Sequence, residues 1–160
     1  MFKLPMTLAS CQINRQSRKT KSTSRIHRVC YVGQIQSIFM FNALIRTHHI
    51  TSRKKVAALK TAAKRHDCFA LLRYGGIPGV MYVEGRDKMA VQNWVDTVHG
   101  LRYKDYQLAA AVAEVAGASS EQPAGLGTLQ EVDTVKELGA RMDRKGLTKW
   151  WRNAMGYAHD

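Results

Sequence analysis

The first strongly apolar stretch of the chain lies at residues 38–50 and is rich in β-favouring side chains. This composition predicts a strand within that range. Ser52 follows, in a position to cap a helix over residues 52–65. Apolar residues recur along this segment at i, i+3 and i+7: Val56, Leu59 and Ala63. The pattern therefore predicts a strand followed by an amphipathic helix with its basic residues facing outward.

Two further apolar runs lie at residues 68–74 and 80–84, on either side of a glycine-rich turn. The turn contains Gly75, Gly76, Pro78 and Gly79. Glycine tolerates positive φ and proline fixes φ, so the two runs are predicted to form a hairpin. The turn lacks the spacing of a phosphate-binding loop and precedes a strand instead of opening a helix. We therefore interpret it as structural.

A second amphipathic helix is predicted after Asp87, which is placed to cap it. Its apolar stripe follows helical spacing: Val91, Trp94, Val95 and Val98. Residues 101–112 then predict a fourth strand, so the order is β-α-β-β-α-β. This order predicts an α+β, ferredoxin-like fold with two helices on one face of a four-stranded antiparallel sheet.

The C-terminal part is predicted to be helical. Residues 116–127 have the composition of a linker, and Thr128 with Glu131 matches a capping box. The helix predicted after it has an apolar side: Leu129, Val132, Val135, Leu138 and Met142. Together these patterns predict four segments: a basic, disordered or targeting segment at 1–37, the ferredoxin-like domain at 38–112, a linker at 113–127 and a two-helix extension at 128–160.

The last predicted helix contains two adjacent tryptophans, Trp150 and Trp151. Neighbouring residues on a helix cannot both face one core. We expect one of them to pack on the domain and the other to contact a partner or to stay partly exposed. The C-terminal helices are therefore a candidate protein-binding surface.

Positive charge is concentrated in the first part of the chain. Lys and Arg outnumber Asp and Glu by 25 to 12, and residues 1–66 contain 14 basic and no acidic residues. This excess predicts attraction to polyanions, mainly nucleic acid or an acidic membrane surface. For residues 1–30, the composition is equally typical of a mitochondrial transit peptide, a disordered basic arm or ill-defined sequence ahead of the domain in an incomplete gene product.

The three cysteines are Cys11, Cys30 and Cys68, with no C-x-x-C pair. An odd, unpatterned set argues against a disulfide framework and fits a reducing, intracellular compartment. Cys30 with the histidines nearby matches no standard zinc-finger spacing, so no metal is expected. No apolar run reaches the roughly 18 residues that a membrane span needs.

The sequence contains no set of residues that suggests a catalytic site. Asp67, Asp87 and Asp105 are separated along the chain and have no partner suited to acid–base work. We expect them to act as caps and surface residues. The sequence therefore predicts a non-enzymatic protein without a cofactor.

The basic first helix is the best candidate site. Its cations are Arg53, Lys54, Lys55, Lys60 and Lys64. They are predicted to contact nucleic-acid phosphates with a salt-dependent affinity, and a solvated helix face is the alternative. His48 and His49 precede them and are candidates for one RNA or phosphate contact. Adjacent strand residues point to opposite faces, so only one of the two reaches a given surface.

Several stretches resemble one family. They are ALIRTHHI at residues 43–50, SRKK at 52–55, GIPGVMYVEG at 76–85 and GLRYK at 100–104. Together they resemble the C-terminal domain of the small nuclear ribonucleoprotein pre-mRNA-processing factor three, which also occurs in RWD-domain-containing proteins. The most specific residues are Gly76, Pro78, Gly79, Glu84 and Gly85. The ending LTKWWRNAMGY is similar to fungal RWD-type members.

The resemblance covers about residues 40–157 and departs from the family at Tyr103, where Trp is usual. It implies a ferredoxin-like fold and binding of RNA within a ribonucleoprotein, in the nucleus or cytoplasm. The splicing-factor region that grips duplex RNA has no counterpart here, and the first 40 residues are too short and basic to be an RWD domain. The alternative is a protein-interaction module without an RNA role.

Overall fold

The computed structural model of the protein describes residues 39–115 and 125–157. Within them lie five strands and four helices. In chain order they are β1 (Phe41–Thr47), α1 (Arg53–Arg65), β2 (Phe69–Arg73), β3 (Gly79–Gly85), α2 (Lys88–Gly100), β4 (Gln107–Glu114), β5 (Leu129–Val132), α3 (Val135–Arg144) and α4 (Thr148–Met155). The fold is therefore of the α+β class.

The described strands form one sheet in the order β4-β1-β3-β2-β5. The first four strands pair antiparallel with their neighbours, and the β1–β4 ladder is irregular at two places. β5 pairs parallel to β2, with Ala70 opposite Leu129 and Arg73 opposite Val132. The segment after β4 therefore returns to the opposite edge of the sheet.

The two predicted helix starts are confirmed. The Ser52 hydroxyl accepts a hydrogen bond from the backbone N–H of Lys55 at 3.4 Å, and the Asp87 carboxylate accepts from Met89 and Ala90, both at 3.2 Å. Such caps satisfy N–H groups that have no acceptor inside the helix. The predicted apolar stripe of α2 is buried along its whole length.

The prediction of a helix directly after Thr128 is wrong. Residues Leu129–Val132 form β5, and α3 begins only at Val135. Its cap is Thr134, whose hydroxyl accepts from the N–H of Glu137 at 3.0 Å. The same T-x-x-E pattern occurs at both positions, and the first copy is extended because β2 offers it a free edge to pair with.

Both faces of the sheet are covered by helices. On one face α1 and α2 pack against β1, β2 and β3, and the indole N–H of the fully buried Trp94 donates to the carbonyl of Leu59 at 3.2 Å. On the other face, Leu138 and Met142 of α3 and Trp151 of α4 join a second apolar cluster. A small sheet enclosed in this way buries apolar side chains on both of its surfaces.

The glycine-rich turn joins β2 to β3 as predicted. Gly75 has a φ of 81°, which favours glycine. A Cβ on Gly79 would lie 2.5 Å from Oγ1 of Thr47, so the close approach to β1 requires glycine there too. The Arg73 guanidinium donates to the carbonyls of Pro78 at 2.7 Å and of Asp133 at 3.3 Å. The hairpin is thus tied to the segment that follows β5.

Some sequence predictions lie outside the described residues: the basic segment 1–37 in full and most of the linker, at 116–124. Among the helices that are described, none is both long and apolar enough to cross a membrane.

Candidate nucleic-acid interface

A basic cavity of about 230 Å³ lies at the start of α1. It lies where the end of β1 meets the α2–β4 connection. The lining residues are His49, Thr51, Ser52, Lys55, Arg102, Tyr103 and Lys104. Three of these are permanently charged cations and none is acidic, so the cavity favours an anion.

The first turn of α1 is unusually basic. Arg53, Lys54 and Lys55 follow the Ser52 cap, and the turn contains no acidic residue. The N-terminus of a helix already bears a partial positive charge, so acidic side chains or anions stabilise it and cations do not. Three cations in this position leave the helix start without compensation from its own turn, which is the electrostatic setting of an anion site.

The α2–β4 connection brings two further cations to the cavity. Arg102 has a φ of 51°, an uncommon conformation for a residue with a side chain. Its carbonyl accepts a hydrogen bond from Nζ of Lys55 at 3.2 Å, and the carbonyl of Lys104 accepts from the N–H of His48 at 2.9 Å. These bonds fix the connection against β1 and α1, and so hold Arg102 and Lys104 beside the helix start.

Tyr103 forms the apolar wall of the cavity. Its ring is buried beneath Lys55, whose Nζ lies 4.6 Å from the ring centre. Burial raises the pKa of Tyr103 to about 12, so the phenol stays protonated at neutral pH. Its hydroxyl has no hydrogen-bond partner among the described residues. The side chain is therefore a neutral donor held next to a group of cations.

The two histidines lie in different surroundings. His48 Nδ1 is 3.5 Å from a carboxylate oxygen of Asp105, whereas the exposed His49 lines the cavity. Their rings contact each other edge to face, with centres 5.0 Å apart. Of the pair, His49 is thus the residue placed to contact a ligand.

Two of the candidate cations of α1, Arg53 and Lys60, form ion pairs with a residue outside the cavity. Arg53 lies 2.6 Å and Lys60 3.0 Å from the carboxylate oxygens of Glu131 on β5. The Arg53 guanidinium also lies over the ring of Tyr74, 3.6 Å from its centre. Burial alone would raise the pKa of Glu131, but the hydrogen bonds from Lys60 and Arg53 outweigh it and the pKa is lowered. Arg53 and Lys60 therefore join α1 to β5.

Lys54 and Lys64 are exposed and have no partner within residues 39–115 and 125–157. The structure thus brings together Lys55 and His49 from the predicted set, and leaves Lys54 and Lys64 on the outer surface of α1. Sequence reasoning missed Arg102 and Lys104, because residues 101–106 looked like the start of a strand. The alternation of basic and aromatic residues in RYK is the signal that identifies them.

The predicted partner-binding tryptophans are both packed on the domain. Trp151 is 4% exposed and belongs to the apolar cluster under α3 and α4, so it is not part of any accessible surface. Trp150 is half-buried and contacts Tyr82 edge to face, with ring centres 5.9 Å apart. It also lines a separate cavity of about 270 Å³ with Asn42, Val115 and Leu147.

Two residues of the family motif, Glu84 and Gly85, are buried and have contacts that fit a structural role. Glu84 is 5% exposed; it accepts from the Tyr82 hydroxyl and pairs with Lys145, both at 2.5 Å. A Cβ on Gly85 would lie 3.0 Å from the Val91 side chain. Within the described ranges, no group of three or more His, Cys, Asp or Glu side chains is arranged to hold a metal ion.

A scan against models of known protein families finds no match to this chain, and a search of curated protein sequences also finds none.

Proposed function

We propose that this protein binds RNA, without catalysing a reaction on it, through phosphate contacts at the basic cavity beside α1. The contacting residues are Lys55, Arg102 and Lys104, with His49 at the rim and Lys54 on the adjoining surface. The observation that supports this best is the first turn of α1, where Lys54 and Lys55 lie at the positive end of the helix and the turn has no acidic residue. A bound phosphate would compensate that charge.

The proposed scaffold is a ferredoxin-like unit made of the first six elements. The strand order β4-β1-β3-β2 and the packing of α1 and α2 on one face support this assignment. β5 extends the unit at the β2 edge. The family resemblance at residues 76–85 agrees with such a unit, and it suggests a ribonucleoprotein of the nucleus or cytoplasm as the setting.

The mode of binding follows from the covered sheet. Single-stranded RNA often stacks its bases on aromatic side chains of an open sheet face. Here α3 and α4 cover the face opposite α1 and α2, where Tyr82 of β3 is buried and Trp151 of α4 packs inward. We therefore propose contact with the RNA backbone at the cavity, which gives affinity with little selectivity for base sequence.

The test is a titration of labelled single-stranded and duplex RNA at two salt concentrations. The variants are Lys104→Gln and Lys55→Gln, and Lys88→Gln is the matched control, because it neutralises an exposed lysine of α2 outside the cavity. Each cavity variant is expected to weaken binding and to lower the salt slope by about 1. Lys88→Gln is expected to leave both unchanged.

Equal affinity of all three variants would contradict the cavity as the binding site. Loss of binding after deletion of residues 1–30 alone, in a protein that keeps all its cavity residues, would place the RNA contact outside the domain. In either case the basic cavity would be a feature of the fold without this role.

A second candidate function is a protein-interaction module, which the half-buried Trp150 beside its cavity supports. A protein partner would insert an apolar side chain next to the indole. Trp150→Ala would then release a co-purifying partner that Lys104→Gln retains. Release by Lys104→Gln, and not by Trp150→Ala, would contradict this alternative.

A further inference from the structure

A further cavity lies on the other side of the sheet from α1. It has a volume of about 450 Å³ and is bounded by β2, β5 and the C-terminal half of α3. The lining residues are Phe69, Leu71, Gln130, Arg141, Arg144 and Lys145. The volume lies within the range of about 300–1,000 Å³ that is usual for small-molecule sites.

Arg141 is held in place at the wall of this cavity. One of its terminal nitrogens donates to Oε1 of Gln130 at 2.6 Å, and the other lies 3.5 Å from a carboxylate oxygen of Glu137. Its Nε–H is buried and has no acceptor in the part of the chain that the structure describes. The guanidinium is therefore pre-positioned beside the cavity, and one of its buried donors lacks an acceptor.

The other two cations differ in how far their charge is compensated. Lys145 pairs with the buried Glu84 at 2.5 Å, and its Nζ lies 5.0 Å from the ring centre of Phe69. Arg144 is exposed and has no hydrogen bond or ion pair within the described part of the chain. The cavity thus contains one guanidinium that is fixed but incompletely bonded and one that is free, which matches an anion with several oxygens.

Cations in the last turn of a helix also stabilise the negative end of its dipole. That effect accounts for basic residues on α3, but it requires neither a cavity nor a fixed donor without an acceptor. The inner wall of the cavity is apolar, made by Leu71 and Phe69, and the Gln130 amide lies at its side. A ligand that fills it therefore combines a charged group with a partly apolar body.

We propose that this cavity is a second binding site, for the terminal phosphate and base of a nucleotide. Arg144 and Arg141 would bind the phosphate oxygens, and the base would lie toward Leu71 with the Gln130 amide at its edge. The nucleotide is either a free mononucleotide or the 5′-phosphorylated end of an RNA strand. The site shares no residue with the basic cavity beside α1, so it does not depend on the function proposed above.

The test is a calorimetric titration of the full chain with UMP, uridine and inorganic phosphate. UMP is expected to bind more tightly than either fragment. Arg144→Gln is expected to weaken UMP by about tenfold or more, since it removes hydrogen bonds between charged groups. Because the Arg144 side chain is exposed and forms no hydrogen bond or ion pair within the described residues, the substitution is expected to preserve the fold. The matched control is Arg152→Gln, which changes an exposed arginine of α4 and is expected to leave the affinity unchanged.

A second arm identifies the source of the nucleotide. A gain in affinity for 5′-phosphorylated over 5′-hydroxyl RNA that Arg144→Gln abolishes assigns the site to an RNA end, and UMP binding without such a gain assigns it to a free nucleotide. The proposal is overturned if UMP fails to bind at ~1 mM, if phosphate alone binds equally well, or if Arg144→Gln binds UMP like the unmodified chain. RNA binding that depends on Lys104, without UMP binding, overturns this proposal alone.

Discussion

The guanidinium of Arg53 lies 2.6 Å from the carboxylate of Glu131, and this contact joins residues 78 positions apart in the chain. It connects the first turn of α1 to β5, and Lys60 reaches the other oxygen of the same carboxylate at 3.0 Å. A single acidic side chain thus compensates two of the cations that the sequence offered as phosphate contacts. The anion-binding capacity of α1 therefore depends on a residue of the C-terminal segment.

Replacing Glu131 with Gln is expected to raise the affinity for RNA and to steepen its dependence on salt. The change removes a negative charge from the basic surface and frees two cations to contact phosphates. Fluorescence anisotropy with labelled RNA at two salt concentrations measures both quantities. The control is Glu114→Gln, which removes an acidic charge from β4 at the opposite edge of the sheet. An equal gain in both variants would show an effect of net charge alone.

The stability of the protein is expected to depend on pH through the same residue. The pKa of Glu131 is lowered below its usual 4.5 in the folded protein, so its stabilising effect is complete above that value and is lost as the pH falls through the folded pKa. Urea unfolding of the unmodified chain and of Glu131→Gln should therefore show a small difference at about pH 6 that disappears in acid. A difference that grows on acidification would contradict the pairing.

The helix cap at Asp87 gives a prediction about stability alone. Asp87→Ala removes the acceptor for the N–H groups of Met89 and Ala90, and should lower the free energy of unfolding by about 1 kcal/mol. Asp87→Asn keeps a side-chain oxygen in the same place and should cost much less. Chemical denaturation followed by circular dichroism compares the two. Equal losses would mean that the carboxylate acts through its charge.

The pair of Lys145 with Glu84 should behave differently from the exposed pairs. Lys145→Met leaves the buried Glu84 carboxylate without its cation, and is expected to cost about 3 kcal/mol of unfolding free energy. The double variant Lys145→Met, Glu84→Gln removes both charges and should recover a large part of that loss. Urea denaturation of the four proteins gives the coupling energy. Additive losses would contradict a direct interaction.

Much of the fold follows from local signals. The caps at Ser52 and Asp87, the helical spacing from Val91 to Val98, and the glycines between β2 and β3 each act over a few residues. Because these signals are local, they predict α1, α2 and the hairpin with bounds close to those observed. The two adjacent tryptophans of α4 predict that one of them packs inward, and the structure shows that the buried one is Trp151.

The rest depends on contacts distant in sequence. Thr128 and Thr134 each precede a glutamate by three positions, and only pairing with β2 decides that the first lies at the start of a strand. The basic cavity brings Lys55 close to Arg102 and Lys104. The positive φ of Arg102 and hydrogen bonds to the carbonyls of Arg102 and Lys104 hold these residues together. Neither the periodicity nor the charge count contains that information, and so the two cations were missed.

The position of β5 gives the sheet two unequal ends. Because β5 covers the outer edge of β2, β4 is the strand of the antiparallel set whose outer backbone groups have no neighbour in the described part of the chain. β4 contains four alanines and neither lysine nor proline, the residues that commonly block further pairing. A further strand added at the β4 edge would therefore lengthen the sheet on the side away from the cavity that β2 and β5 bound.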